Sequence, residues 1–286
     1  MKRIVTAQDI TCLGSCALTV ALPVVSAMGV EASVLPTALL SVHTDFPSFT
    51  FQDLTDALPP VIDHWKREGF TFDAIYTGYL GSLAQVRLIS RFIDDFRRPD
   101  TLVFLDPVLG DAGKLYEGFD GNFPRAMAQL CAKADVIAPN LTEACLLLGR
   151  TYPQEGYDEA YVRELLRELS GLGAPRVILT GAEFRPDQVG VMSYDARTGE
   201  FFQYFRRKYP RRFHGTGDVF ASVCVGALTR GLPLNRALTL AVDFTLESIQ
   251  KTMSDPQGRW YSVNFQEAIP MLVSRLEAEQ LPSDRP

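Results

Sequence analysis

Residues 71–107 read TFDAIYTGYLGSLAQVRLISRFIDDFRRPDTLVFLDP. Phe72–Tyr76 is a short apolar run, Ser82–Phe96 carries apolar residues spaced three and four apart, and Thr101–Asp106 is again a continuous apolar run. A strand, a helix and a second strand in that order predict parallel neighbours joined by a helical crossover.

Working outward, the same alternation fills most of the chain. Further strands are predicted at Arg3–Ala7, Ala32–Leu40, Asp135–Pro139 and Arg176–Thr180, with helices at Ser15–Met28, Gln52–Arg67, Phe123–Ala134 and Asp158–Gly171. The expected fold is α/β: a three-layer α/β/α sandwich with a mostly parallel central sheet covered on both faces. After Thr180 the pattern changes. Val189–Tyr194 and Phe201–Arg206 flank a turn-like Asp195–Gly199 and predict an antiparallel hairpin at the sheet edge. Helices at Gly217–Thr229, Asn235–Thr252 and Phe265–Glu279 follow. No repeat, low-complexity segment or linker divides the sequence, so one domain is expected over residues 1–286. The hairpin region near 189–212 is expected to be a small lid, and the tail 281–286 to be loose.

Composition narrows the function classes. The 286 residues carry a formal net charge of −6, which opposes non-specific binding to nucleic acid. Apolar stretches fall short of the roughly 20 residues that a membrane span needs, and Gln8 and Asp9 interrupt any signal-like core. A cytoplasmic protein with no membrane partner is expected. Five cysteines form no CxxC pair, and the three histidines show no zinc-ligand spacing. That pattern suits a reducing compartment.

Four clusters carry candidate chemistry. His214-Gly215-Thr216-Gly217-Asp218 opens an apolar helix. Two glycines at a helix mouth let several N–H groups converge, and the helix terminus adds partial positive charge. Asp218 in the first turn can accept a proton beside such an anion hole, although aspartate there can equally be a plain helix cap. Asp106–Tyr116 (DPVLGDAGKLY) starts where a buried strand ends, and its carboxylates and lysine can serve Mg²⁺ and phosphates or only a solvated loop. Asn140-Leu141-Thr142-Glu143 also follows a strand, and can orient metal-bound waters or simply start a helix. Val177–Gly181 ends a strand with the hydroxyl of Thr180 and with Gly181. In a parallel sheet these strand ends share one edge, so the clusters can converge. GxxxxGK[ST] and the protein-kinase HRD set are both absent from the sequence, which excludes those two phosphate-handling designs.

The HGTGD element resembles the anion-hole and base motif of the ribokinase superfamily. DPVLGDAGKLY, Leu35-Pro36-Thr37 and Tyr76–Ser82 (YTGYLGS) resemble the vitamin B6 (pyridoxal) kinase branch, and the likeness runs from about residue 3 to 273. It implies ATP-dependent phosphorylation of the 5′-hydroxymethyl of pyridoxal, pyridoxamine or pyridoxine, with Mg²⁺ as cofactor and a homodimer as assembly. Carried onto this sequence, it implies Asp218 as general base and Gly215, Thr216 and Gly217 as the anion hole. Asp106, Asp111 and Glu143 would surround the metal, with Asp106, Asn140, Thr180 and Gly181 near the nucleotide. Asp9, His43, Thr44 and Tyr79 would contact the vitamer ring.

Asp9 stands where many pyridoxal kinases carry serine, and the 44–49 segment lacks the glycines of a mobile flap. Hydroxymethylpyrimidine kinases of thiamin synthesis share the anion hole, and a non-catalytic sensor on the same fold is a further alternative. GKLY and GYLGS favour B6, and the intact Asp218 and Glu143 favour catalysis. The basic run Arg206, Arg207, Lys208, Arg211 and Arg212 is either a solvated face or an ATP cover. His64 and Trp65 are expected to be surface or packing residues.

Overall fold

The computed structural model describes residues 1–211 and 213–280. One mostly parallel sheet organises it. In chain order the strands are β1 (Arg3–Leu13), β2 (Glu31–Val42), β3 (Phe51–Asp53), β4 (Ala74–Thr77), β5 (Leu102–Leu105), β6 (Gly110–Asp111), β7 (Lys114–Leu115), β8 (Val136–Ile137), β9 (Arg176–Ala182), β10 (Gln188–Asp195) and β11 (Glu200–Arg207). Nine of them pair in the order β11-β10-β9-β8-β5-β4-β1-β2-β3, and β6 with β7 makes a separate two-stranded ladder. Pairings from β2 to β9 across the centre are parallel, while β3, β10 and β11 join antiparallel at the two edges.

The helices are α1 (Leu18–Ala27), α2 (Leu58–Arg67), α3 (Leu83–Phe96), α4 (Phe123–Cys131), α5 (Leu141–Leu148), α6 (Glu159–Ser170), α7 (Thr216–Thr229), α8 (Leu234–Ser254) and α9 (Ile269–Gln280). Period-two alternation divides the strand residues between two cores. Val5, Ile75, Val103, Leu105 and Ile137 pack with α2 to α6. Their neighbours Ile4, Ala74, Tyr76, Phe104 and Val136 pack with α1, α7, α8 and α9. The expected three layers are therefore present, and none of the described helices is long and apolar enough to cross a membrane.

Three elements differ from the sequence expectation. β1 continues through Leu13, because the polar Gln8, Asp9 and Thr11 that interrupt the apolar pattern are themselves buried. The β1–β2 register shifts between Gln8 and Ile10, opposite Pro36, which has no N–H to give the ladder. The helix expected from Gln52 begins only at Leu58, after β3 and a short 3₁₀ turn at Thr55–Ala57. Pro59 and Pro60 explain the delay, since they lack the N–H groups of a helix interior and are tolerated only in a first turn. The loop expected within residues 106–116 contains β6 and β7, joined by Ala112 and Gly113 with φ of 51° and 79°. Positive φ at both central residues makes a tight two-residue hairpin turn. The edge hairpin matches its expectation as β10 and β11, whereas Arg212 and the tail 281–286 lie outside the described residues.

Candidate active site

The parallel strands deliver their C-terminal ends to one edge. Asp106 follows β5, Asn140 follows β8, and Thr180 and Gly181 lie near the end of β9. Facing them is the start of α7, where Gly215 takes φ 77°. A Cβ on Gly215 would lie 1.7 Å from the Ser15 carbonyl oxygen, so only glycine lets this turn press against the chain before α1. The cleft between the two sides measures about 460 Å³. Its walls include all ten residues that the sequence assigned to anion hole, nucleotide and metal: Asp106, Asp111, Asn140, Glu143, Thr180, Gly181 and Gly215 to Asp218.

Asp218 has its carboxyl pushed up to about 7, first by burial and further by the charge of Asp9, while the Ala17 N–H opposes the shift. Ala17 holds φ 49°, one of two positive-φ non-glycine positions among the described residues. That strained backbone directs an N–H to the carboxylate. Asp106 is raised by burial and by Asp218, and Glu143 is raised by burial and by Asp106.

Glu143 is also a structural tie. Asn140 and Glu143 form a reciprocal cap at the start of α5: the Asn140 N–H donates to Glu143 Oε2 at 2.8 Å, and the Glu143 N–H donates to Asn140 Oδ1 at 2.9 Å. The Leu109 N–H donates to Glu143 Oε1 at 3.2 Å, Asn140 Nδ2 donates to the Gly110 carbonyl at 3.0 Å, and the Gly113 N–H donates to Thr142 Oγ1 at 2.9 Å. The cap therefore fastens the β6–β7 loop. The helix-start reading of this motif holds, and Asn140 and Glu143 also line the cleft.

The four residues expected at the vitamer ring do not line this cleft. Asp9 is buried within β1, accepts a hydrogen bond from Thr11 Oγ1 at 2.9 Å, and is pushed up to about 6 by burial. Its charge raises both Asp218 and Tyr79, so it lies near each of them. Tyr79 stacks on Phe119 at 5.7 Å, and burial with the nearby Asp9 raises its phenol to about 12. Thr44 is exposed. His43 is buried and stacks on His214, the residue before the anion turn. Burial and His214 lower its pKa, against the opposing pull of Asp45 and the Tyr261 carbonyl.

The sequence reading left Tyr116 and Ala17 unassigned. Tyr116 lies in the quoted GKLY segment, lines the cleft, and has its phenol raised by burial and by Glu143 and Asp111. Ala17 carries no sequence signal, because its role is a backbone angle. Of the basic run, Arg206 and Arg207 reach the cleft, but Arg206 is bound to Asp243 at 2.9 Å and Lys208 to Glu183 at 2.5 Å. His64 is exposed, and Trp65 packs on Phe72.

The residues fit a hard divalent cation held mainly by substrate. Glu143 spends both oxygens on backbone N–H groups, whereas the desolvated Asp106 carboxylate faces the cleft. No three of these carboxylates among the described residues converge to common ligand distance. Mg²⁺ suits that arrangement, since it keeps its waters and binds through one or two carboxylates plus phosphates.

An acidic strand-end cleft facing a glycine-built anion turn, with no P-loop, defines a small-molecule phosphotransferase. The chain belongs to the phosphomethylpyrimidine kinase family, in the ribokinase superfamily: the family model matches residues 22–261. It is 40% identical to a Bacteroides thetaiotaomicron protein solved with pyridoxal and provisionally described as a phosphomethylpyrimidine kinase, with 95% of each chain covered and a TM-score of 0.90. It is 33% identical to pyridoxal kinase from Lactobacillus plantarum, covering 98% of this chain and 100% of that one, with a TM-score of 0.89. A pyridoxine/pyridoxal/pyridoxamine kinase of Bordetella avium is 28% identical, over 87% of this chain and 85% of its own.

Proposed function

We propose that this kinase transfers the γ-phosphoryl group of ATP to the 5′-hydroxymethyl of a B6 vitamer. The observation that carries the reading is the placement of Asp218 in one cleft with Gly215–Gly217 and the strand-end Asp106. The likeness to pyridoxal kinase over the whole chain supports the choice of vitamer. The substrate hydroxyl gives its proton to Asp218 as its oxygen attacks the γ-phosphorus in line, and ADP leaves. The backbone N–H groups of Gly215, Thr216 and Gly217 hold the phosphoryl oxygens as charge develops. Asn140, Thr180 and Gly181 hold the nucleotide, with Arg207 available to cover it.

Mg²⁺, when bound, would neutralise phosphate charge; Asp106 would hold it, with Asp111 and Glu143 orienting its waters. On the acceptor side, Tyr79 and Thr44 would flank the ring and His43 its edge. Asp9 would face the pyridine, and a carboxylate there favours a protonated ring nitrogen. One kinase domain over the described residues, assembled as a homodimer in the cytoplasm, completes the reading.

A second substrate class stands beside it, because the family's description names phosphomethylpyrimidine and curated relatives include hydroxymethylpyrimidine/phosphomethylpyrimidine kinases. The test is mass detection of products from an equimolar mixture of pyridoxal, pyridoxamine, pyridoxine and hydroxymethylpyrimidine with Mg-ATP. Phosphorylated vitamers as the dominant products are expected. Exclusive phosphorylation of hydroxymethylpyrimidine would replace the B6 reading, and ATP consumption by none of the four would remove it.

A further inference from the structure

Between the sheet and α7 lies a group of polar side chains that takes no part in the cleft wall. The strand registers place it. Thr6 of β1 pairs with Tyr76 of β4. Two residues further along, on the same face of the sheet, Gln8 stands opposite Gly78, and Gly78 opposite Asp106 at the end of β5. Gly78 has no side chain, and Gln8 lies across it: a Cβ there would sit 2.5 Å from Gln8 Oε1. α7 packs over β4, with Ser222 one helical turn beyond Asp218 on the same helix face. Gln8, Tyr76 and Ser222 are all 0% exposed. Gln8 Nε2 donates to Thr6 Oγ1 at 2.7 Å, which orients the carboxamide. Gln8 Oε1, the Tyr76 hydroxyl and Ser222 Oγ have no hydrogen-bond partner among the described residues. Ser222 and Gln8 lie beside the phenol all the same, without closing a bond to it. Three bare oxygens buried in one place are unfavourable unless something joins them.

We propose that Tyr76 is a positioning residue for phosphotransfer, its hydroxyl joined to Gln8 and Ser222 by one buried water that clamps the first turns of α7 to the sheet. The role presupposes the phosphotransfer reading above. Such a water accepts from the Tyr76 and Ser222 hydroxyls and donates to Gln8 Oε1, about three bonds in all, the usual number for a buried water. Burial first, then the charges of Asp106 and Asp218, push the phenol well above its ordinary range, so the hydroxyl keeps its proton and stays a donor. The clamp acts from behind the site. Ser222 shares α7 with Asp218, and Tyr76 stands on the strand next to β5, which ends at Asp106. Joining the two hydroxyls therefore fixes the proton acceptor's helix against the strand end that faces it. Phenylalanine would fill the same volume, and a buried hydroxyl bonded to nothing would only destabilise.

The experiment is a double-variant cycle on Tyr76→Phe and Ser222→Ala, read by urea unfolding and by steady-state kinetics with whichever acceptor the parent protein phosphorylates. Each single variant should lower the unfolding midpoint. Each should also reduce kcat on the order of ten- to a hundredfold, as small misplacements of reacting groups do, and leave KM for ATP and acceptor within about twofold. The double variant should be no worse than the poorer single one, because breaking either bond releases the same clamp. A high-resolution crystal structure should show an ordered water bonded to Gln8 Oε1, Tyr76 Oη and Ser222 Oγ. Unfolding midpoints at or above the parent's, losses that add in the double variant, a dry site, or normal kcat in a less stable Tyr76→Phe would each overturn the role. The unfolding and crystallographic arms need no acceptor, so failure of the clamp is distinguishable from failure of the B6 reading.

Discussion

Asp218 is held near neutrality by opposing influences: burial and Asp9 favour its protonated form, and the Ala17 N–H favours the carboxylate. If Asp218 is the base, as proposed, it must be ionised to work, so kcat/KM for the proposed vitamer substrate is expected to fall about tenfold per pH unit below about 7. Asp218→Asn should lower kcat on the order of 100- to 10,000-fold and leave ATP affinity largely intact, which steady-state kinetics and nucleotide titration would check. Asp9 yields a stability prediction. Its pKa is raised from 3.8 to about 6, so the native state binds the extra proton between those values. Stability therefore falls as pH rises from about 4 to about 6, and the deficit persists above that. Asp9→Asn removes the titration and should gain up to about 3 kcal/mol on the parent protein across this interval, as read by urea unfolding at a series of pH values. Both carboxylates were visible in the sequence as candidates. Their perturbation was not, because it comes from burial and from neighbours brought in by other elements.

At the scale of elements, the cap of α5 and the β6–β7 loop act as one unit. Thr142→Ala removes the bond to the Gly113 N–H and should cost about 1 kcal/mol of stability. Its KM for ATP should rise more than its kcat falls, because the loop loses a tether without losing a reacting group; thermal unfolding with initial-rate kinetics separates the two effects. The alternation of apolar strands and periodic helices was legible, since nearly every core element has a single hydrophobic period. What escaped was set by tertiary context. β1 runs on through buried polar residues, Pro59-Pro60 delays α2, and Ala112 closes a hairpin in a conformation that its type does not announce. The vitamer-side assignments rested on resemblance, and none of those four residues lines the phosphotransfer cleft, although the charge of Asp9 acts on Asp218. The stacking of His43 on His214 had no sequence signal, because the two residues belong to distant parts of the chain.

At the scale of the molecule, the sheet is covered by two independent cores, and residues adjacent in sequence serve different ones. Phe104 is fully buried against the α1, α7 and α8 side, while Val103 packs on the opposite side. Phe104→Ala should therefore cost about 3–5 kcal/mol by opening a cavity beside Tyr76 in the core on that side. Equilibrium denaturation would give that loss, and activity should fall with the folded fraction alone. The contact of Gly215 with the Ser15 carbonyl has a consequence for how the protein comes into being. Ser15 leaves the ribosome some two hundred residues ahead of the turn that closes against it. On the proposed mechanism no nascent product lacking α7 can turn over substrate, so turnover waits for a helix that lies in the last quarter of the 286 residues.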